Sequence, residues 1–507
     1  MRLKRSVNNV VVGLISQVTL LLMNFITRSV FIKTLGTEYL GVIGLFSNIL
    51  SILSLANLGI GSSIVYSLYK PLAYQDEDKI NAVMDFYKKA YSIIGMVIFV
   101  IGISLLPFLD VMMKEVPAIP HIELMYFLYV LNSSITYFFI YKGSIIIADQ
   151  KNYVITGIQC VFTLISNIAQ IIILIKTKNY IMVLCLNIVI TILQNSYIVY
   201  RANKNYPCIK NKSKTTLEKD EQKDIFKNLF ALSLYNLSGA VYNGTDNIVI
   251  SSFVGVYMVG IYSNYCLILN GVKALLNQIF HSFIASVGNL NVTEGDEKKY
   301  YIFNVLYFMN FWIYGLAGIC LLVLLNPFIT VWIGETYLLS YAVIIIIFFD
   351  FFIGGLISSS SVFKNSAGLY WHGKFAPIIC VFINLGLSLI LVNYIGVAGV
   401  LLGTIISRLA TYSWVDPYVT FKYVLKKPFK NYWIKYVQYI LVVILAASVT
   451  WVSCLIFDTN SIITLLGRGV LCITIPNLVF YLVFGKTEEF KYIKNSIFSI
   501  IKKLLKK

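Results

Sequence analysis

Residues 180–225 read YIMVLCLNIVITILQNSYIVY followed by RANKNYPCIKNKSKTTLEKDEQKDI. The first part, 180–200, carries no charge, and its length matches the roughly 20 apolar residues a helix needs to cross a bilayer. The second part, 201–225, is polar, basic and poor in large apolar residues, as a linker between membrane-embedded blocks should be. The same alternation runs through the whole chain. Its 507 residues are 58% hydrophobic, 15% aromatic and 13% charged, with a mean hydropathy of +0.78. A soluble domain carries about 25% charged residues. That comparison excludes an ordinary cytosolic enzyme, a disordered chain and a disulfide-stapled secreted module. The lipid bilayer has to serve as solvent for most of this surface.

Outward from 180–225, further apolar runs fall near 7–33, 40–68, 91–110, 122–148, 153–175, 226–251, 255–284, 300–326, 338–363, 376–394, 396–420, 433–457 and 461–484. The expected fold is therefore an all-α polytopic membrane protein with about 14 transmembrane helices. The turn at Asn393-Tyr394-Ile395-Gly396 is the shortest link between two runs. The first run follows Met1-Arg2-Leu3-Lys4-Arg5 and lacks a small-residue cleavage site, so it reads as an uncleaved helix and not as a signal peptide.

The formal net charge is +18. A basic balance can mean nucleic acid, but here the lysines sit between apolar runs and form no single soluble block, so no nucleic-acid partner is expected. They follow the positive-inside pattern of a membrane protein instead. With the N-terminus inside, the inner segments hold Arg2, Lys4, Arg5, the lysines of 201–225, Lys298, Lys299, Lys364, Lys374 and the lysine-rich tail. The outer ones hold only Arg28, Lys33, Lys114, Lys176 and Lys178. Both termini are thus expected in the cytoplasm. Lysine far outnumbers arginine, which fits an AT-rich bacterial genome and a cell-membrane location. The eight cysteines are scattered without a CxxC pair and the three histidines lie far apart, so no metal site is expected. No GxxxxGK[ST] loop and no nucleophile–base or paired-carboxylate spacing is present, so neither a catalytic group nor a cofactor is predicted and the chain does not read as an enzyme.

The linker divides the runs into six and six, with two left over. The expected organisation is a six-helix lobe over 1–200, a basic linker over 201–225, a second six-helix lobe over 226–425, two extra helices over 426–484 and a tail over 485–507. The halves share a signature. Thr27-Arg28 precedes Gly44-Leu45-Phe46-Ser47-Asn48 in the first, and Thr245-Asp246 precedes Gly260-Ile261-Tyr262-Ser263-Asn264 in the second. Parallel repeats of this kind are a transporter architecture, with the substrate between the halves. In the tail, Phe490, Ile493, Ile497, Ile500, Ile501, Leu504 and Leu505 form one apolar stripe between lysines. Such a helix lies on an anionic inner leaflet, unless it is merely a solvated basic tail.

Several stretches carry a family resemblance: Leu35-Gly36-Thr37-Glu38-Tyr39-Leu40-Gly41, Leu58-Gly59-Ile60-Gly61-Ser62-Ser63 and Tyr69-Lys70-Pro71-Leu72. With them go Thr245-Asp246-Asn247-Ile248-Val249-Ile250-Ser251 and Gly399-Val400-Leu401-Leu402-Gly403-Thr404. In this order the chain resembles polysaccharide flippases, the Wzx-type exporters of O-antigen or capsule repeats in the MATE-like MOP superfamily. The resemblance implies a V-shaped pair of six-helix lobes. Its implied activity is moving undecaprenyl-diphosphate-linked oligosaccharide from the inner to the outer leaflet by alternating access. It also implies polysaccharide polymerase and export machinery as partners.

Charges inside a bilayer usually face a cavity or one another. Arg28, Lys273 and Arg408 are the candidate cations for an anionic diphosphate, with Asn48 and Asn264 of the repeated signature as further substrate ligands. Arg28 and Lys273 can equally snorkel to an interface. Asp246 and Asp350 are candidate ion-coupling groups or charge partners, Asp246 for Arg28 or through a local hydrogen bond, Asp350 for a nearby cation. A multidrug or metabolite exporter of the same superfamily is the first alternative, though it would favour carboxylates over these basic groups. A membrane polysaccharide polymerase or ligase is the second, though it would need a long outer loop.

Overall fold

The computed structural model describes residues 2–53, 60–210, 244–457 and 461–495, apart from 116, 282, 284–286, 289, 292–293, 368 and 370. Among the described residues there is no strand, and 12 helices are long and apolar enough to cross a membrane. The chain is a multi-pass, all-α membrane protein. It divides into two compact units, Met1–Leu267 and Ile268–Lys507.

The first unit holds α1 (Arg2–Leu35), α2 (Thr37–Leu53), α3 (Ile60–Tyr74), α4 (Glu77–Ser104), α5 (Ile122–Ala148), α6 (Asn152–Thr177) and α7 (Tyr180–Asn205). A short helix over residues 244–253, α8, and the start of α9 (Val256–His281) complete it. Local chemistry sets several boundaries. Asp76 caps α4 by accepting from the Lys79 amide at 3.0 Å, and Glu77 and Asp78 sit in the first turn, where the helix dipole favours anions. Asn179 caps α7 through the Ile181 and Met182 amides, at 2.9 and 3.3 Å. The described residues of the run at 40–68 belong to α2, up to Leu53, and α3, from Ile60, with 54–59 outside the described residues. One expectation changes. The segment expected as linker from 201 is still helical to Asn205, and Lys142 then pins the following turn by donating to Asn203 Oδ1 (3.1 Å) and the Ile209 carbonyl (2.8 Å). The rest of that linker and most of the expected span at 226–251 lie outside the described residues.

The repeated signature has a structural counterpart. α2 and α9 each begin after a glycine in the left-handed region, Gly36 (φ 88°) and Gly255 (φ 132°). Five residues on in each, a second glycine meets the other helix backbone to backbone. A Cβ on Gly41 would stand 2.0 Å from the Val256 carbonyl oxygen, and one on Gly260 would stand 2.3 Å from that of Thr37. The crossing is reciprocal, because Thr37 and Val256 occupy the same place in their helices. Asn48 and Asn264 also behave alike, each donating its amide to the glycine carbonyl one turn back, Gly44 at 2.8 Å and Gly260 at 3.3 Å.

The second unit holds the rest of α9, then α10 (Asp296–Ile333), α11 (Tyr341–Ser366), α12 (Ala376–Ile395), α13 (Val397–Ala410), α14 (Tyr412–Val419), α15 (Lys430–Cys454) and α16 (Ile462–Phe484). The chain reverses between α12 and α13 at Gly396 (φ 56°), the short link seen in the sequence. The expected span at 396–420 is a broken helix, interrupted at Thr411 and ending in a π-helical turn, Thr420–Leu425. The aromatic wealth packs the core: Phe311 stacks on Tyr439 at 4.4 Å and Tyr307 on Tyr432 at 5.0 Å.

The start of the tail docks on this unit. Phe490, first residue of the expected lipid-facing stripe, stacks on Trp312 at 5.5 Å, and Lys435 donates to Glu489 at 2.7 Å. Residues 496–507, with most of the stripe, lie outside the described part. Burial opposes ionisation of Glu489, but the hydrogen bond from Lys435 prevails and holds its carboxyl below the ordinary 4.5.

Two outcomes follow from this packing. Gly41→Ala must push α2 and α9 apart and should cost about 1–3 kcal/mol, read as a lower melting temperature in detergent. Gly386→Ala, where nothing lies within 4 Å, should leave it unchanged. A depressed carboxyl stabilises fully above its unfolded value and loses that contribution as pH falls through its folded value. Protease protection of 485–495 should therefore persist at pH 5 and fade below 4.5, and Glu489→Gln should remove that dependence.

Candidate functional site

In the first unit a cavity of about 350 Å³ opens beside α1. Asn24, Thr27, Arg28 and Phe31 line it from one face of that helix, at the i, i+3, i+4, i+7 spacing that puts side chains in a row. Asn167 and Gln170 of α6 and Asn187 of α7 add amides, and Tyr129 of α5 and Tyr180 of α7 add phenols. Among the described residues the lining carries one charge, the Arg28 guanidinium, and no carboxylate.

The polar groups are tied together. Arg28 Nη1 donates to Ser263 Oγ at 3.2 Å, and Ser263 in turn donates to the Gly260 carbonyl at 2.7 Å. The Tyr129 and Tyr180 hydroxyls share a hydrogen bond of 2.6 Å. Asn167 donates to Asn24 at 3.4 Å, and Ser166 to Asn187 at 2.9 Å. Phe31 packs edge-on against Tyr180 at 5.3 Å. A guanidinium held by a hydroxyl keeps donors for a ligand, because a neutral partner leaves its charge uncompensated. The arrangement can bind an anion beside neutral, hydrogen-bonding groups.

Asn48 and Asn264 do not line this cavity, since their amides turn back onto their own helices. Asp246 is buried on α8 and does not line it either, and no Arg28–Asp246 ion pair occurs among the described residues. The amides of α6 and α7 and the tyrosine pair escaped the sequence reading, which searched for charge. Their signal was an amide every few residues inside otherwise apolar spans.

Lys273, Asp350 and Arg408 all belong to the second unit. Asp350 forms ion pairs with both cations, with Arg408 Nη1 at 2.7 Å and Lys273 Nζ at 3.8 Å. The same Nη1 donates to the Asp350 backbone carbonyl at 2.7 Å. The guanidinium fits because residue 354 is glycine, where a Cβ would stand 2.7 Å from Nη1. Asp350 is thus a counter-ion to two cations.

A second ion pair overturns an expectation. Lys364, counted with the inner-loop cations, is buried in α11 and donates to Asp416 Oδ1 at 2.6 Å. Both side chains are sealed, at 1% and 2% exposure, and Ser361 donates to the other carboxylate oxygen at 2.8 Å. Neither residue stood out in the sequence, where Lys364 follows the apolar run at 338–363 and Asp416 lies within that at 396–420. No cluster of three or more His, Cys, Asp or Glu able to hold a metal occurs among the described residues.

No protein-family model and no curated protein matches the chain. Solved structures do. One is an inward-facing multidrug resistance MATE family transporter of the MOP superfamily, 16% identical, with a TM-score of 0.65 over 81% of this chain and 98% of that one. Lipid II flippase MurJ in an inward closed conformation is 16% identical, with a TM-score of 0.64 over 94% and 98%. A MOP superfamily transporter from Pyrococcus furiosus, described as having a binding pocket of reverse polarity, is 15% identical, with a TM-score of 0.57 over 84% and 97%. The chain shares the fold of these MOP-superfamily transporters.

Removing one member of a sealed ion pair strands the other charge and costs about 3–5 kcal/mol, whereas replacing both with apolar residues is often neutral. Lys364→Met should therefore sharply lower the melting temperature of the purified protein. Adding Asp416→Leu should restore most of the loss.

Proposed function

We propose that this protein is a flippase for undecaprenyl-diphosphate-linked oligosaccharides, moving their head groups from the inner to the outer leaflet of a bacterial cell membrane during capsule, exopolysaccharide or O-antigen-type synthesis. The observation that carries this reading is the Arg28 cavity, whose described lining has one guanidinium, no carboxylate and a wall of amides and phenols. Guanidinium donors match phosphate oxygens in geometry and charge. Amides and hydroxyls suit a sugar ring. The cavity, about 350 Å³, sits at the small end of ligand pockets, roughly 300–1,000 Å³, so it takes a phosphate and the adjoining sugar and leaves the rest of the repeat outside it. The prenyl tail stays in lipid.

An anion carried outward moves down a negative-inside potential, worth about 2.3 kcal/mol per charge per 100 mV, so the potential assists export. Lys273, Arg408 and their counter-ion Asp350 serve as a second contact for the anionic head. Asp246, Asn48 and Asn264 act indirectly, through the helices that carry them. Both termini lie in the cytoplasm, where the tail lysines meet anionic lipids and where polymerase and export machinery gather. The likeness to a multidrug transporter suggests drug export as a second reading, but a cavity whose only charge among the described residues is positive repels cationic drugs.

The test uses vesicles containing the purified chain and an undecaprenyl-diphosphate disaccharide, with sugar on each leaflet read by a lectin. Losing charge-assisted hydrogen bonds costs about 1.5–3 kcal/mol each, so Arg28→Ala should slow flipping roughly tenfold or more, with Arg28→Lys between the two. Wild-type flipping in Arg28→Ala, or wild-type extrusion of cationic dyes with no sugar flipping, would discard the proposal.

A further inference from the structure

The segment after Gly396 is broken within the membrane. α13 ends at Ala410, the backbone leaves the helical region at Thr411 (φ −128°, ψ −84°), and α14 resumes at Tyr412. A break in a bilayer frees carbonyls that need new partners. Side chains supply them here: Thr411 Oγ1 donates to the Ser407 carbonyl and Trp414 Nε1 to that of Ala410, both at 2.6 Å. These two carbonyls are therefore satisfied without a continuous ladder, while the buried Ser413 hydroxyl makes no hydrogen bond among the described residues.

Two ion pairs of opposite polarity straddle this point. Before it, Arg408 reaches Asp350; after it, Asp416 reaches Lys364. Both partners stand on α11, about four turns apart, which puts them on one face. The pairs differ in access. Lys364–Asp416 is sealed, whereas Arg408 and Asp350 are 16% and 18% exposed. Asp350 is also shared with Lys273, which is 39% exposed and farther away at 3.8 Å. That cluster has two cations for one carboxylate. Beyond it, α12 and α13 are fastened into one hairpin, with Asn384 donating to Thr404 at 2.9 Å and Ser388 to the Val400 carbonyl at 3.2 Å.

We propose that the α12–α13 hairpin is a moving arm hinged at Thr411, with Lys364–Asp416 as its fixed anchor and Arg408–Asp350–Lys273 as a latch opened by an anionic phosphate ligand. The ligand competes with Asp350 for the two cations. In the latched state Asp350 occupies them; in the released state they face the ligand. The ligand therefore binds the released state better, which is the condition for shifting the equilibrium. The inference rests on the proposed anionic cargo.

Spin labels on the full chain in lipid nanodiscs, with native cysteines replaced by alanine, test it. Tyr394→Cys and Ile345→Cys, at exposed sites, report the arm against α11; Tyr418→Cys and Ala367→Cys report the anchor. Undecaprenyl diphosphate should shift the first distance by several ångströms and leave the second fixed, while uncharged undecaprenol shifts neither. Asp350→Asn should release the arm without ligand. Lys273→Gln, on a more exposed side chain, should weaken the ligand response severalfold while leaving the arm latched. An arm that stays still in Asp350→Asn and with ligand, while the vesicles still flip lipid-linked sugar, overturns the hinge and spares the cargo. An arm released by Asp350→Asn, with no response to undecaprenyl diphosphate and no flipping, keeps the hinge and overturns the cargo. Joint motion of both pairs overturns the anchor.

Discussion

The cost of a charge among hydrocarbon chains organises this molecule. An ionised side chain at mid-bilayer costs about 2.5–3.5 kcal/mol on insertion scales, so each one present needs a partner or a wet surface. The second unit answers with pairing: Asp416 takes Lys364, and Asp350 takes Arg408 and Lys273. The first unit answers differently at Arg28, where a serine hydroxyl and a polar cavity stand in for a carboxylate. The two solutions have different consequences. Paired charges hold helices in place, whereas a cation facing neutral groups holds attraction in reserve.

Much of the helical layout was legible because length and apolarity are the same physical requirement that lipid imposes. The spans near 122–148, 153–175 and 376–394 appear as Ile122–Ala148, Asn152–Thr177 and Ala376–Ile395. The reversal at Gly396 was visible for the same reason, as the one point where two apolar runs almost touch. What escaped was whatever hydropathy averages away. The break at Thr411 hides in the single run read over 396–420.

Charge was easier to find than to interpret. Asp350 and Arg408 stood out by position, and they meet each other. Lys364 was assigned to a loop because a lysine near the end of an apolar run usually marks an interface, and only the three-dimensional packing brings Asp416 to it. The amides of the Arg28 cavity illustrate the opposite limit. Asn167, Gln170 and Asn187 are individually unremarkable, and their meaning arises when α1, α6 and α7 face one space.

The crossing of α2 and α9 has one more implication. Backbone geometry treats the two segments as equals, down to the glycine each presses against its counterpart. Side-chain chemistry does not. Ser263 steadies Arg28, while Ser47, its counterpart in the signature, is exposed, and the residue matching Arg28 is the acid Asp246. A symmetric frame dressed with opposite charges carries an electric asymmetry, and anything that enters it meets a field with a head and a tail.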